Sequence, residues 1–285
     1  MLDLDKIKNS LRHPGSLAIR ILVMLSAVIT VGSIVFIVAY ILVNGIPNLK
    51  PELFAVDFTS KNQSMLPSII NTLYLTFLTL LIAVPVGVFS AVYLVEYAKK
   101  GSKFVKLIRL TNETLAGIPS IVYGLFGYLA FVISANFDFS LIAGVLTLAV
   151  MVLPVIIRTS EEALMAVDDT YREGSYGLGA GKLRTIFRIV LPSAVPGILS
   201  GVILAIGRIV GETAALIYTA GTVPDAAEKL TSSSRTLSVH LYCLLNEGLY
   251  TDEAYATAVV LLGVVLIING LSNLVAKKIS KGTGN

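Results

Sequence analysis

The sequence predicts an all-α, polytopic membrane protein with six transmembrane helices. Three observations carry that prediction: the small share of charge, the length of the apolar runs, and the lopsided placement of lysine and arginine. Of 285 residues, 55% are hydrophobic and 14% charged, with a mean hydropathy of +0.82. A soluble domain carries about 25% charged residues, so most of this chain does not face water. Its apolar runs reach the roughly 18 uncharged residues that mark a membrane-crossing segment. Helices are expected because hydrocarbon offers the backbone no partners and each segment must pair its own polar groups.

The spans fall at 17–43, 66–95, 107–134, 139–157, 193–220 and 254–276. Each is close to or beyond the roughly 20 residues needed to cross about 30 Å of hydrocarbon. The first, "ILVMLSAVITVGSIVFIVAYILV", has no charge after Arg20. It is longer than a signal-peptide core and lacks a small-x-small cleavage site, so it is read as a retained span. Pro85 and Gly87 in the second span, and Pro119 in the "GIPS" break of the third, mark kinks. Those kinks are either packing irregularities or gating hinges.

Charge sets the orientation. Seventeen basic residues lie on one side: Lys6, Lys8, Arg12 and Arg20 at the amino end, five between Lys99 and Arg109, five between Arg158 and Arg188, and Lys277, Lys278 and Lys281 in the tail. Lys50, Lys61, Lys229 and Arg235 lie on the other. Cytoplasmic loops carry the basic excess, which puts both termini inside and agrees with an even number of spans. The expected organisation is a cytoplasmic segment 1–16, one six-helix domain 17–276 with an inner loop 158–192 and an outer loop 221–252, and a cytoplasmic tail 277–285. The net charge of +4 thus reports topology and gives no reason to expect a nucleic-acid partner.

Enzymatic chemistry finds no footing. One cysteine, Cys243, makes no internal disulfide, and two histidines, His13 and His240, build no metal cluster. No HExxH or GxSxG motif occurs. The outer loop holds Asp225, Glu228, Glu247, Asp252 and Glu253 and an apolar stretch, "LSVHLYCLLNEG", too short to cross. It is either a connector or a docking surface.

The inner loop contains "YREGSYGLGAGKLRTIFRIVLP", whose glycines suggest a phosphate cradle. A P-loop would need glycine at Tyr176 and a hydroxyl residue at Leu183, and a dinucleotide fingerprint would need glycine at Lys182. The stretch is therefore read as helix, glycine turn and helix. Ser160 stands as a possible N-cap of the acidic helix. Leu183, Ile186, Phe187 and Val190 share one face of the second helix, which Pro192 ends as the fifth span begins.

The fifth span carries Arg208 and Glu212, four residues apart and so on one helical face. A mid-membrane charge costs about 2.5–3.5 kcal/mol on insertion scales and faces a bundle interior or a water-filled path. Either the two form a structural pair, or Arg208 offers its fork of donors to a passing oxyanion while Glu212 holds it and prevents trapping. Gly201, Gly207 and Gly211 allow close helix approach.

The inner-loop spacing resembles the signature of ATP-binding-cassette importer permeases, E-A-A, three residues, G, nine residues, I-x-L-P. Here it reads Glu173, Gly174, Ser175, then Gly179, then Ile189, Leu191 and Pro192. Two small residues stand in place of the alanines. "RIVGETAALIYTAG", "LVEYAKKG" at 94–101 and "GIPSIVYGLFGY" at 117–128 are similar to the second of the two permease subunits of phosphate importers.

The resemblance covers roughly 65–276. It implies a type I (MetI-like) importer domain whose coupling helix sits on a separate ATPase. It further implies a sister permease, two ATPase subunits, an external phosphate-binding protein, and no cofactor on this chain, with ATP and magnesium on the ATPase. Arg208, Glu212 and Thr213 would line the phosphate path, with Ser120 and Tyr123 beside the third-span break. A permease for molybdate or sulfate is the nearest alternative; a secondary transporter, a channel or a membrane-bound interaction protein lies further off.

Overall fold

A computed structural model describes residues 14–99 and 101–282. The amino-terminal basic residues Lys6, Lys8 and Arg12, together with His13 and Lys100, lie outside the described residues. Every described element is helical: ten α-helical segments and two short 3-10 turns, Ile46–Asn48 and Pro51–Phe54. The α-helical segments are α1 (Pro14–Gly45), α2 (Leu66–Tyr97), α3 (Lys103–Ala116), α4 (Ser120–Ser134), α5 (Leu141–Met165), α6 (Asp169–Gly177), α7 (Lys182–Val210), α8 (Ala214–Ile217), α9 (Leu237–Glu247) and α10 (Thr251–Gly282). Five of them, α1, α2, α5, α7 and α10, are long and apolar enough to cross a membrane.

The sixth candidate span is bent. α3 and α4 meet at 103° across a break of a few residues. Proline supplies the reason: Pro119 has no N–H to continue the ladder, and its ring pushes Ile118 out of the helical region. The span expected at 107–134, with its break at "GIPS", is therefore two arms set at a steep angle. α3 starts at Lys103 and exposes Phe104, Leu107 and Leu110, while α4 folds back into the bundle.

The core lies where α2, α5 and α7 pack together. Leu75, Leu148, Met151, Val152, Ile156, Ala205 and Ile209 are essentially sealed from solvent. Close approach needs glycine at Gly201, where a Cβ would run into the Thr159 side chain. Gly207 and Gly211 meet nothing of another helix; of the three glycines expected to form a seam only Gly201 does, joined one turn earlier by Gly197, whose Cβ would run into Ala163 of α5. α1 stands apart. None of its apolar window is buried, and it touches α10 through Tyr40 and Tyr255, whose ring centroids lie 6.0 Å apart.

Two boundaries differ from the sequence reading. Ser160 is no N-cap; it lies inside α5, wholly buried, because the stripe that buries Ile156 carries on to Leu164. At the other end of the inner loop, Pro192 does not start a new helix. α7 begins at Lys182 and runs through a π-turn at Ile186–Val190 into the span. A proline in a helix's interior normally breaks it, and the wider π-turn just ahead accommodates the missing donor.

Candidate functional site

Two places gather the residues singled out by sequence: the inner-loop elbow and the middle of α7.

At the elbow, α6 is capped by Asp168, whose carboxylate accepts from the Thr170 N–H at 2.9 Å and the Thr170 hydroxyl at 2.8 Å. Those two bonds, the backbone one foremost, hold the Asp168 carboxyl below its usual pKa. The helix ends at Gly177, and two residues on the chain turns at Gly179, whose φ of +81° only glycine adopts without strain. Ser175 faces inward, its hydroxyl 2.8 Å from that of Thr185, and so fastens α6 to α7. Its small size serves packing inside the chain. Glu173, Gly174 and Gly179 are exposed, and a Cβ at either glycine would meet only open space. Ile189, Leu191 and Pro192 are half-buried along the start of α7. A groove of about 550 Å³ runs between the two helices, past Gly174, Leu178, Arg184 and Ile189. Leu178 on its rim is 90% exposed. The face expected on α7 divides: Ile186 and Val190 are buried, whereas Leu183 and Phe187 project outward.

One residue that the sequence reading used only for topology holds this elbow together. Arg172 donates to Glu96 Oε1 from Nε at 3.1 Å and from Nη2 at 2.8 Å. It also reaches the Val167 carbonyl at 2.7 Å, the Leu164 carbonyl at 3.0 Å and Asp169 at 3.1 Å. The end of α2, the end of α5 and α6 are thereby tied to one guanidinium. Lys182, 4.8 Å from the Tyr97 ring centroid, adds a tie from α2 to α7. Glu96 sits in the quoted "LVEYAKKG", but its partner is 76 residues away, and no spacing rule reaches that far.

In mid-span the expected Arg208–Glu212 pair is absent. α7 ends at Val210 with Gly211 as its C-cap, and the helix does not resume until Ala214. Glu212 is buried, its carboxylate accepting from the Ala215 N–H at 3.0 Å and its carbonyl from the Ser238 hydroxyl at 2.6 Å. With the helix broken between them, four-residue spacing no longer puts the two on one face. Among the described residues no hydrogen bond or ion pair joins them. Arg208 instead lines a pocket of about 490 Å³ with Val155, Ile203, Leu204, Gly207 and Asn269. Asn269 was missed in the sequence; the signal was an amide inside the apolar run "VVLIINGL". Its buried Oδ1 has no hydrogen-bond partner among the described residues.

Tyr123 is buried within coulombic reach of Arg208, and its hydroxyl donates to the Leu115 carbonyl at 2.8 Å, bridging the α3–α4 bend. Ser120 opens α4 and Thr213 sits in the α7–α8 break, both half-buried. The structure thus brings Arg208 and Tyr123 near one another and turns Glu212 toward α9.

The family described as the binding-protein-dependent transport system inner membrane component matches residues 83–281. The chain belongs to that family. Members are membrane-embedded transport subunits, and the matched region takes in the elbow, α7 and both pocket-lining spans. A probable ABC transporter permease, YqgI of Bacillus subtilis (strain 168), is 33% identical over 278 residues, covering 90% of this chain and 94% of that protein. A phosphate transport system permease protein PstA of Yersinia pestis is 37% identical, covering 69% of this chain and 67% of its own. PstA 1 of Mycobacterium tuberculosis (strain H37Rv) is 45% identical over 140 residues, 49% of this chain and 45% of that one. Among solved structures, a bacterial alginate ABC transporter chain superposes with a TM-score of 0.67 at 17% identity, covering 96% of this chain and 98% of its own. The MetNI methionine ABC transporter gives 0.53 at 18% identity, covering 78% and 94%. At such identities the likeness is one of fold: a MetI-like, type I importer transmembrane domain.

Proposed function

We propose that this chain is a permease subunit of an ATP-driven importer of inorganic phosphate. The observation that carries the reading is Arg208, a guanidinium inside a membrane span with no ion pair among the described residues, lining an apolar pocket beside an amide. Such a group keeps its donors for a passing oxyanion, and in a low dielectric their attraction is strong. Three phosphate transport permeases among the relatives support the choice of anion.

In this reading the subunit sits in the cytoplasmic membrane with both termini inside, and pairs with a sister permease to enclose the path. The exposed side of α6, with Glu173 and Gly174, and the turn at Gly179 that follows it dock one of two ATPase subunits; Ser175, Ile189, Leu191 and Pro192 hold that elbow in shape. ATP and magnesium stay on the ATPase, and an external binding protein delivers phosphate. Arg208, Tyr123, Ser120 and Thr213 border the path. Glu212 acts there by fixing the α7–α8 break and not by gripping Arg208.

The test is uptake of labelled phosphate into liposomes holding the purified complex, with excess sulfate or molybdate outside. ATP-dependent uptake that ignores both competitors is expected. Suppression by either would discard phosphate, and uptake without ATP would discard the importer.

A further inference from the structure

α3 stands at the elbow's end of the bundle, yet it lines neither the Arg208 pocket nor the elbow groove. Turned 103° from α4, it lies against α5. Asn112 fastens it there by donating to the Pro154 carbonyl at 3.1 Å, and Arg109 does so through an ion pair with Glu161. Its three sides differ. Val105 is buried against the bundle. Phe104, Leu107 and Leu110, spaced three apart, are 59%, 59% and 61% exposed. Lys103, Lys106 and Arg109, spaced likewise and one residue back, make an exposed basic row along the apolar one.

A cavity of about 450 Å³ opens beside these rows, between the end of α2, α3, the end of α5 and the start of α6. Val105 and Met165 supply apolar wall, and Lys99 and Arg109 bring positive charge to it. The two carboxylates on the wall, Glu96 and Asp169, are both engaged by Arg172. Lys99 has no ion pair among the described residues, and Arg109 meets Glu161 through Nη2 with 46% of its side chain still open.

An exposed apolar row beside a basic one, at the end of a membrane domain, is the arrangement of a helix lying in the bilayer interface. Rings and alkyl groups enter the acyl region, while lysine and arginine stems reach back to the headgroups. A free inorganic anion would answer the lysines and leave Phe104, Leu107 and Leu110 in water. A phospholipid answers both, its headgroup phosphate taking the charges and its chains the apolar row. We propose that α3 is an interfacial helix, and that the cavity at Lys99 and Arg109 holds the headgroup of an anionic phospholipid from the leaflet on the elbow's side. Basic pockets among membrane helices take such headgroups, and each lysine or arginine near the surface favours an anionic lipid by about fivefold. The headgroup stands against Arg172 and Glu96 as well, which puts the elbow's tie within reach of membrane composition.

The chain contains no tryptophan, so Phe104→Trp adds an indole whose emission is the difference between variant and parent, each purified with its partners. Both are placed in nanodiscs of equal parts phosphatidylglycerol and phosphatidylcholine, with bromine on the acyl chains of one lipid or the other. Both brominated lipids should quench the indole, and phosphatidylglycerol should behave as if about fivefold enriched beside it. Lys99→Gln with Lys106→Gln should bring that enrichment close to unity. Lys99→Arg should keep it, and so should Lys61→Gln at the far end of the bundle. Quenching by neither lipid would mean that protein covers this face of α3, and equal quenching by both that the cavity selects no headgroup. Either result overturns the proposal, as does enrichment that survives Lys99→Gln with Lys106→Gln. Enrichment erased by soluble inorganic phosphate, at constant ionic strength, would overturn it too and give the cavity to a free anion.

Discussion

Arg172 and Arg208 are the same residue type on the same chain, in opposite situations. Arg172 has its donors committed to a carboxylate, two carbonyls and a neighbouring aspartate, with 13% of its side chain exposed. Arg208 faces a pocket lined mostly by alkyl groups, and among the described residues it has no ion pair. A guanidinium whose bonds are all made is a strut. On the proposed reading, one kept unpaired inside a membrane, where each charge is costly, is held for something that comes and goes. The two ends of the working part of the molecule are therefore told apart by bonding, not by residue type.

Breaking the comparison at Arg208 should have the largest effect. Arg208→Ala is expected to cut ATP-driven phosphate uptake by about 100-fold, the scale of losing a key oxyanion donor, with the complex still assembled on gel filtration. Arg208→Lys keeps a charge but loses the fork and should recover only part of the rate. Uptake at the normal rate in Arg208→Ala would remove Arg208 from the path.

Breaking the strut should give a different failure. Removing one partner of a mostly buried pair costs about 3–5 kcal/mol, and the Glu96 and Arg172 side chains are 7% and 13% exposed. Arg172→Ala or Glu96→Gln should lower the thermal midpoint of the complex. They should also leave ATP hydrolysis running while uptake falls, because α6 would no longer carry α2 and α5 with it. The charge swap Glu96→Arg with Arg172→Glu tests the pairing itself: partial return of uptake is expected, and a swap no better than the singles would make the pair incidental.

The contrast between these sites also explains what the sequence could reveal. Hydropathy located the spans because lipid imposes one requirement on some 20 consecutive residues, and a long window averages local noise away. The elbow's turn was legible because Gly179 and its neighbours are local signals. Arg172–Glu96 was not, since the pairing depends on how α2 and α6 are brought together. The Arg208–Glu212 reading failed at a single assumption, an unbroken helix. Gly211 and the outside partners of Glu212, the Ala215 N–H and the Ser238 hydroxyl, end α7 first. Ser160 misled for the same kind of reason: a good capping residue is overruled when its neighbours have a core to bury.

Two glycines sharpen the elbow further. Gly179→Ala forces a side chain onto a φ of +81° and should cost about 1–2 kcal/mol. Gly174 is helical with open space around it, so Gly174→Ala should be neutral or stabilising by up to about 1 kcal/mol. In differential scanning fluorimetry Gly179→Ala should fall while Gly174→Ala holds or rises. If both fall alike, the positive φ is not what Gly179 supplies.

The smallest effect is expected at the cap. Asp168 is fully exposed, and its carboxyl is held below the usual value near 3.8 by the Thr170 N–H and, to a lesser degree, the Thr170 hydroxyl. A depressed folded value means that the cap's contribution is complete above the unfolded pKa and fades as pH falls through the folded one. Between pH 6 and 8, then, nothing from Asp168 should change, and the cap should weaken only below about pH 4. Asp168→Asn keeps an acceptor for the Thr170 N–H and should leave uptake near normal at every pH; Asp168→Ala should lower it slightly, and equally, across the neutral range. A loss in Asp168→Ala that grew from pH 6 to pH 8 would mean that the carboxylate acts on another partner and not as the cap of α6.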